Sequence, residues 1–309
     1  MKERPLADSS HFVTVRVPAT SANLGPGYDA LGLALQIYDV YTFRRGDRAR
    51  VRIEGEAAGE APTGPKNLAL RAACLLAERQ GATFDYLDVE ENSAIPVSRG
   101  LGASGAGVVA GLVAANHVLG NVLATRELAA LAIEIEGHAD NVLPALVGGL
   151  VIVAATGVEA EWMKIDCPPA LRVALAVPEL RITTRAAREV LPERVLFEDA
   201  IHNVSRVGLL VAAVQNDRLG LLAAAMDDRL HEPYRSRLHP ALNEMLAAAR
   251  EAGALGAALS GSGSTVIALC EGDAQPAATA MRQACEKAGI ECRDYICMPS
   301  AAGAEVVPK

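Results

Sequence analysis

Between residues 96 and 107 the chain reads PVSRGLGASGAG, and its glycines at 100, 102, 105 and 107 lead directly into an apolar segment of helical period, VVAGLVAANHVLG. Few folds accommodate that arrangement. Glycine lets a backbone turn through left-handed conformations and pass close to a ligand, while the first turn of the next helix offers unpaired N–H groups and the positive end of its dipole. The string is read as a phosphate cradle at a helix N-terminus, against the plainer alternative of a glycine-capped core helix.

Several phosphate loops share that logic. Gly100, Gly102 and Gly105 satisfy the spacing GxGxxG, but a dinucleotide site also needs a strand running straight into the turn and an acidic residue about 20 positions on. Here the strand FDYLDVE is separated from the glycines by ENSAIPVSR, and the region beyond Gly120 reads as another helix opening at Thr125. A Walker loop is excluded because no GxxxxGK[ST] string occurs. An NAD-dependent oxidoreductase is therefore disfavoured.

A chain of 309 residues exceeds what a single core usually supports and predicts two domains. Its net charge of −8 and lack of a Lys/Arg-rich run argue against nucleic acid as partner. No apolar leader precedes FVTV, and the uncharged stretch 141–158 is broken by Pro144, Gly148 and Gly149, so it reads as buried strand and not as a membrane span. The six cysteines form no CxxC pair, which predicts reduced core thiols in a cytoplasmic protein.

Periodicity predicts a strand at 12–17, a hairpin of 38–45 with 49–56 around Gly46 and Asp47, a helix from Lys66 to Gln80, a strand at 84–90, helices near 103–119 and 125–136, and apolar strands over 146–155. This is an α+β layer. After DCPPAL the order becomes strand, several helices, strands at 254–260 and 264–270, a helix at 274–288 and a strand at 291–297. Without the inserted helices that is the split βαβ of a ferredoxin-like domain, giving domains 1–167 and 168–309.

Three glycine-bearing segments recur in order: PATSANLGPGYDALG (18–32), the loop at 96–107, and GALGAALSGSGSTVIAL (253–269). Together they resemble the signature motifs of the GHMP kinases (galactokinase, homoserine kinase, mevalonate kinase, phosphomevalonate kinase), over nearly the whole chain. PATSANLGPGYDALG and EGHADNVLPALVGG (136–149) resemble the homoserine kinase branch in particular. The resemblance implies an N-terminal domain like domain 2 of ribosomal protein S5 and a ferredoxin-like C-terminal domain. It implies an enzyme using ATP and Mg²⁺ to phosphorylate L-homoserine, with a homodimer as the expected assembly and no interface legible in the sequence. The alternatives within the fold are a mevalonate- or shikimate-type kinase and a non-catalytic sensor.

Residue by residue, the resemblance places ATP on Pro96, Val97, Ser98, Arg99, Gly100, Leu101, Gly102, Ala103, Ser104, Gly105 and Ala106, with Asn67 on the adenine side and Gly261 and Gly263 closing the site. Glu134 and Ser104 are the expected Mg²⁺ ligands, with Glu136 the neighbouring choice. Substrate falls to Asn23, Asp29, His138, Asn141, Thr184, Arg188 and Arg235. Homoserine is a zwitterion, so Asp29 suits its ammonium and the planar forks of Arg188 and Arg235 suit its carboxylate. For the attacking hydroxyl, Asp140 is a candidate base and Asn141 a candidate orienting group, since an amide cannot accept a proton at neutral pH. The usual family loop reads GLGSSAA where this chain has GLGASGA, so Ala103 removes one hydroxyl and Gly105 one methyl.

Overall fold

The computed structural model describes residues 13–308 apart from positions 47, 85 and 158, so Phe12, Asp47 and Asp85 of the expected strands and turn lie outside the described residues. Two sheets organise the chain. The first contains β1 (Val13–Ala22), β2 (Leu31–Arg45), β3 (Arg50–Gly55), β4 (Leu87–Ser93), β5 (Leu150–Thr156), β6 (Glu159–Ile165) and β11 (Glu305–Val307). On it pack α1 (Leu68–Arg79), α2 (Ala103–Val118), α3 (Thr125–Glu136) and α4 (Ala139–Val147).

The strands alternate as their side chains require. In β1, Val13, Val15 and Val17 are buried while Thr14 and Arg16 are partly exposed. Helix α2 is apolar nearly all round because it is enclosed, with α1, α3, α4 and β1 against it. Gly111 permits that enclosure: a Cβ there would stand 2.1 Å from the Ala69 carbonyl of α1.

The second sheet contains β7 (Leu171–Pro178), β8 (Gly256–Leu259), β9 (Val266–Glu271) and β10 (Cys292–Cys297), ordered β10-β7-β9-β8 and antiparallel throughout. This is the ferredoxin-like order with α9 (Leu242–Glu251) and α10 (Gln275–Lys287) in their usual places and α5 (Thr184–Glu189), α6 (Phe197–Gln215), α7 (Leu222–Ala225) and α8 (Glu232–Arg235) inserted between β7 and α9. Period-two alternation divides β7 between two cores. Ala174 and Ala176 face α9 and α10, whereas Val173, Leu175 and Val177 join the large core that continues into the first sheet.

Three expectations are corrected. β2 and β3 do not pair as a hairpin, because β4 enters between them, antiparallel to β2 and parallel to β3. Charge favours this: Arg44 of β2 and Arg52 of β3 both pair with Glu90 of β4, whereas a direct hairpin would bring those two arginines together. The strand expected over 146–155 begins only at Leu150, since 139–147 is helical and carries Pro144 within it. Finally, the C-terminus returns to the first sheet, where β11 pairs with β1 and Arg16 meets Glu305 at 2.8 Å. Among the described residues no helix is long and apolar enough to cross a membrane.

Candidate active site

The three glycine-bearing segments meet at one end of the first sheet, beside the second. The Thr20 amide donates to Leu101 O at 3.0 Å, and the Gly261 amide to Ala22 O at 3.0 Å. Ser260 Oγ donates to Gly100 O at 2.7 Å and lies 2.8 Å from Ser21 Oγ. Close approach explains the glycines. A Cβ at Gly100 would stand 2.2 Å from Ser260 O, and one at Gly102 2.0 Å from Thr20 Oγ1. Gly102, at φ +74°, also caps α2 with no side-chain hydrogen bond, so the first amides of that helix stay available to an anion. A cleft of about 340 Å³ opens over this junction.

Its acidic wall comes from the α3–α4 connection. Gly137, at φ +87°, ends α3, and His138 begins α4. Glu134 does not reach the cleft: residues two apart on a helix face different sides, and Glu134 forms a bidentate pair with Arg79 on the exposed side. Glu136 takes the position expected of Glu134. Its carboxylate accepts from Ser104 Oγ at 2.8 Å, its side chain is 11% exposed, and burial raises its pKa. His138 Nδ1 lies 3.1 Å from Asp140 Oδ1, a contact that raises the His138 pKa. Thr20 Oγ1 donates to Asn141 Oδ1 at 2.8 Å, so the oxygen of that amide is committed to protein, and Nδ2, which donates one N–H to Asp140 Oδ1 at 3.5 Å, keeps its other N–H for a ligand.

The opposite wall carries the charged groups. Asp29 and Arg188 form a bidentate pair, 2.9 and 3.1 Å. Arg235 is only 3% exposed. Its Nε donates to Ala187 O and its Nη1 to Gly261 O, which leaves Nη2 for the cleft. The Tyr28 ring lies 5.7 Å from the Arg188 guanidinium carbon and 5.2 Å from that of Arg235. Asn23, 2% exposed and at φ +74°, braces the wall: Oδ1 accepts from the Asp29 amide and Nδ2 donates to Gly261 O. Thr184, first in α5, completes it, and Thr183 caps that helix by accepting from Ala186 N.

At the other end Asn67 lines the cleft, but its amide is used locally, accepting from Leu70 N as the cap of α1 and donating to Pro62 O. That bond holds the 57–62 loop, whose Ala57, Glu60, Ala61 and Pro62 form one side of the same end. Of the residues expected to hold ATP, Val97, Ser98, Gly100, Leu101, Gly102, Ala103, Ser104 and Gly261 line the cleft. Pro96, Arg99, Gly105, Ala106 and Gly263 do not line it. Arg99 turns toward the second sheet, donating to Pro178 O and pairing with Glu179 at 2.8 Å. Gly105 packs toward α4, where a Cβ would meet Val142 Cγ1 at 3.3 Å. Tyr41 and Glu91 also line the cleft, and nothing in their local sequence marks them, since both sit among ordinary strand residues; Tyr28 lies within the segment 18–32, but its contact with two distant arginines has no local signal. Burial raises Asp39 to about 6 and Glu91 to about 7, with the Tyr41 hydroxyl between them.

Two family models match the chain, the GHMP kinases N terminal domain over residues 67–149 and GHMP kinases C terminal over residues 210–287. A homoserine kinase of Moorella thermoacetica is 44% identical over 95% of this chain and 99% of its own length. A crystal structure of homoserine kinase from Cytophaga hutchinsonii superposes with a TM-score of 0.87 at 31% identity, covering 99% of this chain and 100% of that one. A mevalonate kinase of L. major, solved with R-mevalonate, shares the fold at TM-score 0.73 and 19% identity, covering 96% of this chain and 99% of that one.

Proposed function

The chain belongs to the GHMP kinase family, among its homoserine kinases, and from that premise we propose that its cleft transfers the γ-phosphoryl group of ATP to the side-chain hydroxyl of L-homoserine, yielding ADP and O-phospho-L-homoserine on the way to threonine. It is an ATP-dependent kinase of the expected α+β, two-domain class. We assign the domains to 1–167 and 168–309, with β11 added to the first, and place the enzyme in the cytoplasm, to which its free cysteines are suited.

The observation that carries the substrate assignment is the Asp29–Arg188 pair beside Arg235. A zwitterion can enter such a pair without leaving either charge alone: its ammonium replaces Arg188 on Asp29 and its carboxylate replaces Asp29 on Arg188. Nη2 of Arg235 adds a second donor to the carboxylate, on a guanidinium already fixed by two carbonyls. Mevalonate and shikimate carry no ammonium and would leave Asp29 unpaired.

Phosphoryl transfer depends on positioning and charge stabilisation more than on covalent help. The amides at the start of α2 receive phosphate oxygens. We assign Asn141 the orienting role, because it lines the cleft with its Oδ1 fixed by Thr20 and one Nδ2 N–H beyond its contact with Asp140 to offer the attacking oxygen. Asp140 is engaged by His138, and proton loss to phosphate replaces an aspartate base.

Glu136 and Ser104 fit Mg²⁺. They supply hard oxygen donors in contact at the helix N-terminus, and the ion commonly takes one or two protein ligands with the rest from phosphates and water. Bound there with ATP, it would neutralise charge across the phosphates. Glu134 is withdrawn from the metal site by its position.

An ADP-release screen against homoserine, mevalonate, shikimate and galactose tests the proposal. Turnover is expected with homoserine. Preference for any other acceptor refutes the assignment, and no turnover with any of them favours a sensor.

A further inference from the structure

The segment HEPYR (231–235) sets His231 and Arg235 four residues apart, so the single turn of α8 stacks their side chains one above the other. Of the two, only Arg235 reaches the cleft. His231 is 0% exposed and its backbone is pinned, because Asp228 Oδ2 accepts from the amides of His231 and Glu232 at 2.9 and 2.8 Å. Its two ring nitrogens meet different parts of the charged wall. Nε2 lies 2.7 Å from Gly25 O, in the turn that leads to Asp29, and Nδ1 lies 3.4 Å from Arg235 Nη1.

Those partners fix the proton. A carbonyl oxygen can only accept and a guanidinium can only donate, so Nε2 carries the hydrogen and Nδ1 offers its lone pair. Asp228 Oδ2, 3.8 Å from Nε2, is beyond hydrogen-bond range. Burial lowers the His231 pKa, in keeping with the neutral ring, and a second ring proton would face the Arg235 cation. Both hydrogens of Arg235 Nη1 are then used, one on Gly261 O at 2.8 Å and one on His231, while Nε is held by Ala187 O. The Tyr28 ring packs on the His231 ring with 5.4 Å between centroids, and Asp29 is the next residue of the chain. A ring that only filled the core would need neither polar contact.

We propose that His231 is a positioning residue that ties the ammonium and carboxylate subsites into one unit, its Nε2–H holding the turn of Asp29 and its Nδ1 holding the guanidinium of Arg235, so that a zwitterion is selected at a fixed separation of charges. The inference rests on the homoserine reading above.

Two substitutions separate the two contacts. His231→Gln keeps a donor near the place of Nε2 and loses the acceptor for Arg235, whereas His231→Asn keeps an acceptor near the place of Nδ1 and loses the donor to Gly25. Steady-state ADP release is measured with L-homoserine, with 4-hydroxybutanoate, which lacks the ammonium, and with 3-aminopropan-1-ol, which lacks the carboxylate. His231→Gln should lower kcat/KM roughly tenfold for homoserine, through KM, and for 4-hydroxybutanoate, leaving 3-aminopropan-1-ol and the KM for ATP unchanged. His231→Asn should instead affect homoserine and 3-aminopropan-1-ol and spare 4-hydroxybutanoate. A uniform loss on all three acceptors, or no loss on any, would overturn the positioning role alone; equal turnover of all three by wild type would overturn the homoserine reading and this inference with it. Should neither variant fold, the wild-type ring decides: in protein labelled with ¹⁵N-histidine, the ring assigned by its contact with Tyr28 is expected as the neutral Nε2–H tautomer, and an Nδ1–H tautomer or a cationic ring at neutral pH would overturn the proposal.

Discussion

The contrast between Glu134 and Glu136 gives the sharpest test of the metal assignment, because the two carboxylates share one helix and differ only in the side they face. Glu136→Gln keeps the shape of the side chain and still accepts from Ser104 Oγ, now 2.8 Å from a carboxylate oxygen, but it removes the charge at the start of α2. Removing one preorganised electrostatic group at a transition state typically costs ~10²–10³ in kcat, about 3–4 kcal/mol of barrier. Glu134→Gln loses only an exposed pair with Arg79, which is worth under ~1 kcal/mol of stability and nothing to the chemistry. The carboxylate is the working form of Glu136 and burial raises its pKa in the unliganded protein, so wild-type kcat/KM for ATP should decline as pH falls through a value above the usual carboxylate range. In Glu136→Gln that acid limb should be absent from whatever activity remains. Steady-state ADP release at saturating homoserine and varied ATP, across pH and Mg²⁺ concentration, reads all of this. An inactive, folded Glu134→Gln beside a fully active Glu136→Gln would refute the reasoning.

Other outcomes follow from the same geometry. Replacing the homoserine amine by hydrogen should lower kcat/KM roughly tenfold or more, the worth of one charge-assisted hydrogen bond, and Asp29→Asn should abolish that discrimination; equal turnover of both compounds by wild type removes Asp29 from the site. Asn141→Ala should reduce kcat more than Asp140→Asn, and Thr20→Val should share part of the loss by freeing the amide that Thr20 fixes; a folded Asp140→Asn enzyme that binds both substrates yet turns over ~10²–10⁴-fold slower restores an aspartate base. Glu91, raised from 4.5 to about 7 by burial, binds its proton more tightly folded than unfolded, so its contribution to stability is full below pH 4.5 and lost as pH rises through 7. Glu91→Gln should therefore flatten the stability profile by roughly 3 kcal/mol between those limits, measured by urea unfolding, and an unchanged slope would show that Glu91 is not the titrating group.

Local rules determined much of this protein before any coordinates were needed. Alternation defined β1 and β7, helical period and glycine caps defined α1, α2 and α3, and the glycine strings marked all three segments that build the cleft. These are interactions between residues a few positions apart, so the sequence carries them explicitly. The family resemblance singled out Asp29, Arg188 and Arg235, and their charge types suit what a zwitterion needs. Tertiary structure alone decided the rest. Whether β3 pairs with β2 depends on β4, more than thirty residues later, arriving with Glu90 to lie between Arg44 and Arg52. Which carboxylate of AIEIEG faces the cleft depends on the direction of α3 relative to α2 and on Arg79 drawing Glu134 outward, neither of which leaves a local trace. Tyr28 gains its role because two arginines from distant helices converge on its ring. A sequence specifies which faces a segment has; only packing specifies what each face meets.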